Sequence, residues 1–192
     1  MRYHDIQALL VPLKKERIPD REECIRLMIR MQMPEHIMLH SFRVCDLAVT
    51  LARLCITNAY PISIEKVEAG ALLHDIAKAK CLEENCHHAI AGAELLRSEG
   101  YHEIAPIVEQ HVNISISDLQ ACPNESILVN YADKRVLHTS VVSLDERFED
   151  LIKRYGKTPE HKRSLEERWK LYKQLENKLS LILQQDVGKM AV

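Results

Sequence analysis

Apolar residues recur along this chain at intervals of three and four, the spacing of one helix face. After Pro34, the positions Ile37, Val44, Leu47, Ala48, Leu51 and Leu54 share such a face and predict a long helix through Cys55. Upstream, Asp5 to Leu13 reads as a short apolar helix ended around Pro12. Asp20-Arg-Glu-Glu23 is a capping box for a helix running to about Met33. Asn58 to Pro61 form a turn, and Ser63 caps a helix expected to run through His74-Asp75. A further helix spans about His87 to Ser98 and stops at Gly100, and a shorter one covers Glu103 to His111. Asn124-Glu-Ser126 leads into a helix expected through Val142 or beyond, with Leu144 to Tyr155 continuing it after a break. Thr158-Pro159, a cap followed by proline at the first helical position, opens a final helix to about Gln185. Ile114-Ser-Ile-Ser117 alternates, but four residues are too few for a sheet, so no strand is expected.

The pattern predicts an all-α fold, and composition adds detail to it. A chain of 192 residues suits one domain with a substantial core. Hydrophobic residues at 46% and charged residues at 28% describe a folded soluble globule, which excludes a disordered chain. The net charge of −2 argues against a surface built for nucleic acid or anionic lipid. No apolar run approaches the roughly 20 residues that cross a bilayer, so no membrane partner is expected. None of the six cysteines forms a Cys-x-x-Cys pair and no signal peptide precedes them, which points to reduced thiols in a cytoplasmic protein. The last helix carries an apolar stripe of Leu165, Trp169, Tyr172, Leu175, Leu179 and Ile182. The stripe is expected to dock on the chain's own core, the alternative being a homodimer contact.

The candidate chemistry centres on His74-Asp75, inside Gly70-Ala-Leu-Leu-His-Asp-Ile-Ala-Lys78. A charged pair at the end of an apolar helical run is costly unless it is paired or binds metal. His40 precedes it, His88 and His111 follow, and Asp133 comes later, each at a helix-length interval. Packing three helices would bring His40, His74, Asp75 and Asp133 to one point. Mixed imidazole and carboxylate ligands suit one or two divalent transition ions (Fe, Mn, Co, Ni or Zn) with open positions for water. His88 and His111 are placed to hold the second ion, with Asp75 as the bridge. Lys78, one turn after His74, and Arg43, three residues after His40, would project toward a bound phosphate. His36 reads as a surface or supporting histidine, and His4, His102, His138 and His161 have no company.

In order, His40, His74-Asp75 and Asp133 resemble the defining pattern of the HD superfamily of metal-dependent phosphohydrolases. The local contexts agree: His40-Ser-Phe-Arg-Val44, His74-Asp-Ile-Ala-Lys78, His88-Ala-Ile-Ala-Gly92, Ile107-Val-Glu-Gln-His111 and Tyr131-Ala-Asp133-Lys-Arg-Val. The resemblance covers about residues 34–145. It implies an HD-type helical bundle as the metal-binding core, with residues 1–33 packed on it and residues 146–192 as an added docking or dimerising segment. It also implies hydrolysis of a phosphomonoester or phosphodiester of a small, nucleotide-like molecule by metal-activated hydroxide; Asp75, together with Lys78 and Arg43 from their helix positions, is expected to be catalytic. Some HD-fold proteins instead use two irons to activate O₂, and others only bind or regulate. Walls for the substrate are expected from loops around 79–87 and 112–124.

Overall fold

The computed structural model describes residues 17–190; the helix expected at Asp5–Leu13, and His4, lie outside them. Helix α1 (Arg21–Arg30) starts where the Asp20 carboxylate accepts from the Glu23 amide at 2.8 Å. Helix α2 (Glu35–Thr57) is the long central helix, burying Val44, Leu47, Ala48 and Leu51 completely. Helix α3 (Ile64–Leu73), capped by Ser63, lies against α2, and helix α8 (Glu125–Lys134) packs on both. Between them run α4 (Lys78–Glu84), α5 (His88–Ser98), α6 (Ala105–Glu109) and α7 (Ile116–Gln120). After α8 come a hairpin of β1 (Val136–Leu137) and β2 (Ser140–Val141), then α9 (Leu144–Tyr155) and α10 (Pro159–Leu183). The fold is all-α apart from that hairpin. Among the described residues, no helix is long and apolar enough to cross a membrane.

Three expectations are corrected. Helix α8 does not run on to Val142: it ends at Lys134, and Val136 pairs with Val141 across a turn in which His138 adopts a left-handed φ of 55°. The β-branched residues flanking this turn prefer a pleated surface to another helical turn. Helix α3 stops at Leu73, one residue before the pair it was expected to carry. Third, Cys81 and Cys86 are joined by a disulfide rather than reduced. Asn85 ends α4 in a left-handed conformation and folds the chain back, so that the Cys86 amide donates to the Cys81 carbonyl at 3.1 Å. That turn brings the two Cα atoms to 4.6 Å, within bridging range. Cys24, Cys45 and Cys55 are free and buried, and burial pushes the Cys24 and Cys45 thiols up to about 12.

Half of the C-terminal stripe packs against the chain's own core, while Leu165, Trp169 and Ile182 are half-buried. Tyr172, Leu175, Leu179 and Leu183 are buried, and Phe148 of α9 stacks on Trp169 with ring centroids 6.1 Å apart. Arg135 fastens the end of the chain. Its guanidinium donates to the carbonyls of Val142, Val187 and Gly188 at 2.6, 2.6 and 3.0 Å.

Small residues set the helix spacing around the centre. A Cβ at Gly70 would lie 2.5 Å from Cγ2 of Ile107, so α3 and α6 touch backbone to side chain. Gly70→Ala gains about 1 kcal/mol of helix propensity but overpacks a stiff β-branched neighbour at about 1–3 kcal/mol. The overpacking wins, and urea melts should show net destabilisation of about 1 kcal/mol or more. A melt unchanged or shifted upward would show that Ile107 moves aside freely.

Candidate metal centre

His74 and Asp75 occupy a turn between α3 and α4. The chain tightens there, with the Ile76 amide donating to Leu73 at 3.1 Å and the Lys78 amide to Asp75 at 2.9 Å. In a continuous α-helix adjacent side chains diverge by about 100°; here both turn inward, with His74 Nε2 3.3 Å from Asp75 Oδ2 and neither side chain more than 1% exposed. Helix α2 brings His40, α8 brings Asp133, the first turn of α5 brings His88, and the residues just after α6 bring His111. The packing of Gly92 against Val108 keeps α5 close to α6.

Each of three imidazoles donates its Nδ1 proton to a backbone carbonyl. His40 donates to His138 at 2.9 Å, His74 to Ala71 at 2.8 Å and His111 to Val108 at 2.6 Å. Those bonds turn each Nε2 toward the centre, where His40 Nε2 and His74 Nε2 face the Asp133 and Asp75 carboxylates, the arrangement of a metal ligand. Two groups of donors result: His40, His74 and Asp75, and Asp75, His88 and His111, each with its atoms within 4.8 Å of one another. Asp133 lies beside the first group, its Oδ1 3.0 Å from His40 Nε2 and 3.7 Å from His74 Nε2. In the second, Asp75 Oδ1 lies 3.4 Å from His88 Nε2 and 3.6 Å from His111 Nε2. Six-coordinate ligands at about 2.1 Å from one ion are roughly 3 Å from their neighbours, close to these separations.

Hydrogen bonding leaves gaps that suit a cation. Two atoms at the heart of the centre, His74 Nε2 and Asp75 Oδ1, are buried without a hydrogen-bond partner, which is costly in a dry interior. His88 Nε2 and His111 Nε2 face each other at 3.1 Å, a pair that only a proton or a cation can satisfy. Burial disfavours charge on both, lowering the His88 imidazole to about 4 and lowering His111, so each is a neutral ligand at pH 7. Burial also works against the two carboxylates, yet His74, His111 and Lys78 hold Asp75 well below its ordinary value, and Lys134, His40 and His74 do so for Asp133. Burial pulls His74 down, but Asp75 and Asp133 outweigh it and raise its pKa. Without a cation, protons and lysines would have to balance two buried anions. A divalent ion would do so more directly, and the residues present fit one or two such ions.

Of the expected substrate contacts, Lys78 lies at the centre, with Nζ 2.7 Å from Asp75 Oδ2. Arg43 instead lies against the hairpin, where its Nε donates to the Thr139 carbonyl at 3.0 Å. Lys134 pairs with Asp133. His36 is exposed. The centre forms the floor of a cavity of about 580 Å³. Its expected walls are only half right: Cys81, Leu82, Cys86 and Val112 contribute, but the larger part comes from α9 and α10 through Arg147, Phe148, Leu151, Leu165, Arg168 and Tyr172. Two further contributions went unseen in the sequence. The His138 carbonyl orients His40, and the His161 side chain lines the cavity. Neither follows from residue type, because one is a backbone group and the other depends on where α10 lands.

The HD domain family model matches residues 37–136, more than half of the chain. This chain belongs to the HD domain family. HD domains bind divalent metals, and the two donor groups are where this chain could hold them. Among curated relatives, a tRNA (cytidine(56)-2′-O)-methyltransferase of Thermoplasma volcanium is 33% identical over 132 residues, covering 68% of this chain and 37% of that protein. An uncharacterized protein of Methanocaldococcus jannaschii is 30% identical over 136 residues, 64% of this chain and 79% of that one. A ribonuclease Y of Acidothermus cellulolyticus is 31% identical over 140 residues, 68% and 27% respectively. The chain thus spans about a third of the methyltransferase and a quarter of the ribonuclease. A solved structure described as a predicted HD superfamily hydrolase, from an uncultured Thermotogales bacterium, covers 92% of this chain and 97% of its own at 18% identity. Its TM-score of 0.46 is too low to add to the assignment.

Proposed function

We propose that this protein is a metal-dependent phosphohydrolase acting on a small phosphomonoester or phosphodiester of nucleotide type. The observation that carries this reading is Asp75, a buried carboxylate shared by two donor groups on the floor of a cavity large enough for a nucleotide. His40, His74, Asp75 and Asp133 would hold one ion, and Asp75, His88 and His111 the other. Such ions, when bound, lower the pKa of water from 15.7 to about 7 and withdraw charge from phosphoryl oxygens. The chain's own part is to orient the imidazoles through their carbonyl-bonded Nδ1 groups, so that each Nε2 faces the ion once His74 has given up its proton. Lys78 and Lys134 add positive charge beside the reacting phosphoryl group, where developing negative charge needs it. Apolar walls keep bulk water away and strengthen both effects.

Elemental analysis of protein purified without chelator, followed by phosphate release across nucleotides and phosphodiesters, tests this reading. The expected result is one or two transition ions per chain and release that chelator abolishes. Metal-free protein with undiminished release would overturn it. So would an iron-loaded protein that consumes O₂ with an organic substrate and releases no phosphate. Faster cleavage of a single-stranded oligoribonucleotide than of any mononucleotide would overturn the small-molecule part alone.

A further inference from the structure

The cations of the cavity fall into two sets. On the floor, Lys78 and Lys134 are committed to Asp75 and Asp133. On the wall, Arg147 of α9 is paired only with Asp150 of its own helix, and Arg168 of α10 with no carboxylate among the described residues. The Arg147 side chain is only 13% exposed, and its Nε is buried with no hydrogen-bond partner. Among the described residues it pairs with one carboxylate, Asp150, which accepts a long hydrogen bond from Nη1 at 3.5 Å and is itself engaged by Arg154, whose Nε donates to it at 2.8 Å. Arg168 has no ion pair or hydrogen bond among the described residues. A buried guanidinium with unfilled donors is costly, and its planar fork matches the oxygens of a phosphate. Phe148, Leu151, Leu165 and Tyr172 line the same cavity and give it an apolar surface.

From this arrangement we infer that Arg147 and Arg168 form a second anion subsite, and that the substrate is a phosphoester carrying a second phosphate beyond an apolar or aromatic body. The subsite rests on the proposed hydrolase reading for which phosphate reacts. It lies on helices outside the matched HD segment, so it selects among substrates while the floor performs the chemistry.

Calorimetry on the protein as purified tests it, with adenosine 3′,5′-bisphosphate, adenosine 5′-monophosphate and adenosine as probes. The bisphosphate should bind at least tenfold more tightly than the monophosphate. Arg147→Met and Arg168→Met should each reduce that preference by roughly tenfold. Arg147→Lys should restore part of it, and Arg163→Met, on the exposed side of α10, serves as the control for an arginine lost elsewhere. Circular dichroism reports whether each variant is folded, and Arg168, half-exposed, keeps the test valid if Arg147→Met unfolds. Equal affinity for the two nucleotides in the wild-type protein would overturn the subsite, as would a preference that survives both substitutions. Arginine-dependent preference without phosphate release would leave the subsite standing and overturn the hydrolase reading. Phosphate release without arginine dependence would do the reverse.

Discussion

Asp75→Ala should empty both donor groups at once and lower phosphate release by about 10³-fold or more. Among the described residues, Asp75 is the one side chain common to both groups. Activation by metal is worth several kcal/mol, and about 4 kcal/mol of lost transition-state stabilisation is about 10³-fold in rate. The comparison variant is His88→Ala, which removes a ligand of the second group only. Elemental analysis should find no ion in Asp75→Ala and one in His88→Ala, with circular dichroism confirming that both are folded. Asp75→Ala that keeps two ions, or wild-type release, would remove the shared carboxylate from the mechanism. Acidity should act in the same direction. The pKa of His74 is raised, so its proton competes with metal at a higher pH than an ordinary histidine's would. Retention of metal should therefore begin to fall at a higher pH than an ordinary histidine ligand would set.

That His40, His74, Asp75, His88, His111 and Asp133 lie close together was legible in the sequence from their order and from the family resemblance, because each sits at or beside a regular helix. Periodicity locates such positions, and helix packing then converges them. The details that were not legible depend on contacts distant in sequence. The stretch from Gly70 to Lys78 is apolar enough to continue as a helix, and only inward pairing of His74 with Asp75 shows why it tightens into a turn. The hairpin after α8 is too short for an alternating pattern, yet it supplies the carbonyl that orients His40. Cys81 and Cys86, five residues apart, would diverge on a helix; the left-handed Asn85 lets them meet. The cavity walls were missed for a broader reason. Residues on α9 and α10 reach the centre only because Tyr172, Leu175 and Phe148 dock those helices on the core, and docking is a property of the whole fold.

The same docking makes Arg135 the position with the largest expected effect on stability. Arg135→Met keeps much of the stem's volume but should cost about 3–5 kcal/mol, because it breaks one side of a buried charge pair. The guanidinium is 2% exposed; its Nη1 donates to Tyr131 Oη at 2.9 Å and stands 3.6 Å from Glu176 Oε2, a carboxylate that also accepts from Tyr131 at 2.7 Å. Removing it leaves that carboxylate half-compensated and deprives the Val142, Val187 and Gly188 carbonyls of their donor at once. Against a total of about 5–15 kcal/mol for a domain, this is a large share. For a chain of this length it corresponds to a fall in Tm on the order of 10 °C. Urea melts of Arg135→Met, Glu176→Gln and the double variant would measure it. The double variant should cost less than the sum of the two singles, because Glu176→Gln removes the charge that Arg135→Met strands. Strict additivity, or a loss under about 1 kcal/mol for Arg135→Met, would show that the clamp does not hold the chain end. A true clamp also ties stability to the site: Arg135 follows Asp133 by two residues and grips Val142 just past β2, so it braces both the helix that supplies Asp133 and the hairpin whose His138 carbonyl orients His40.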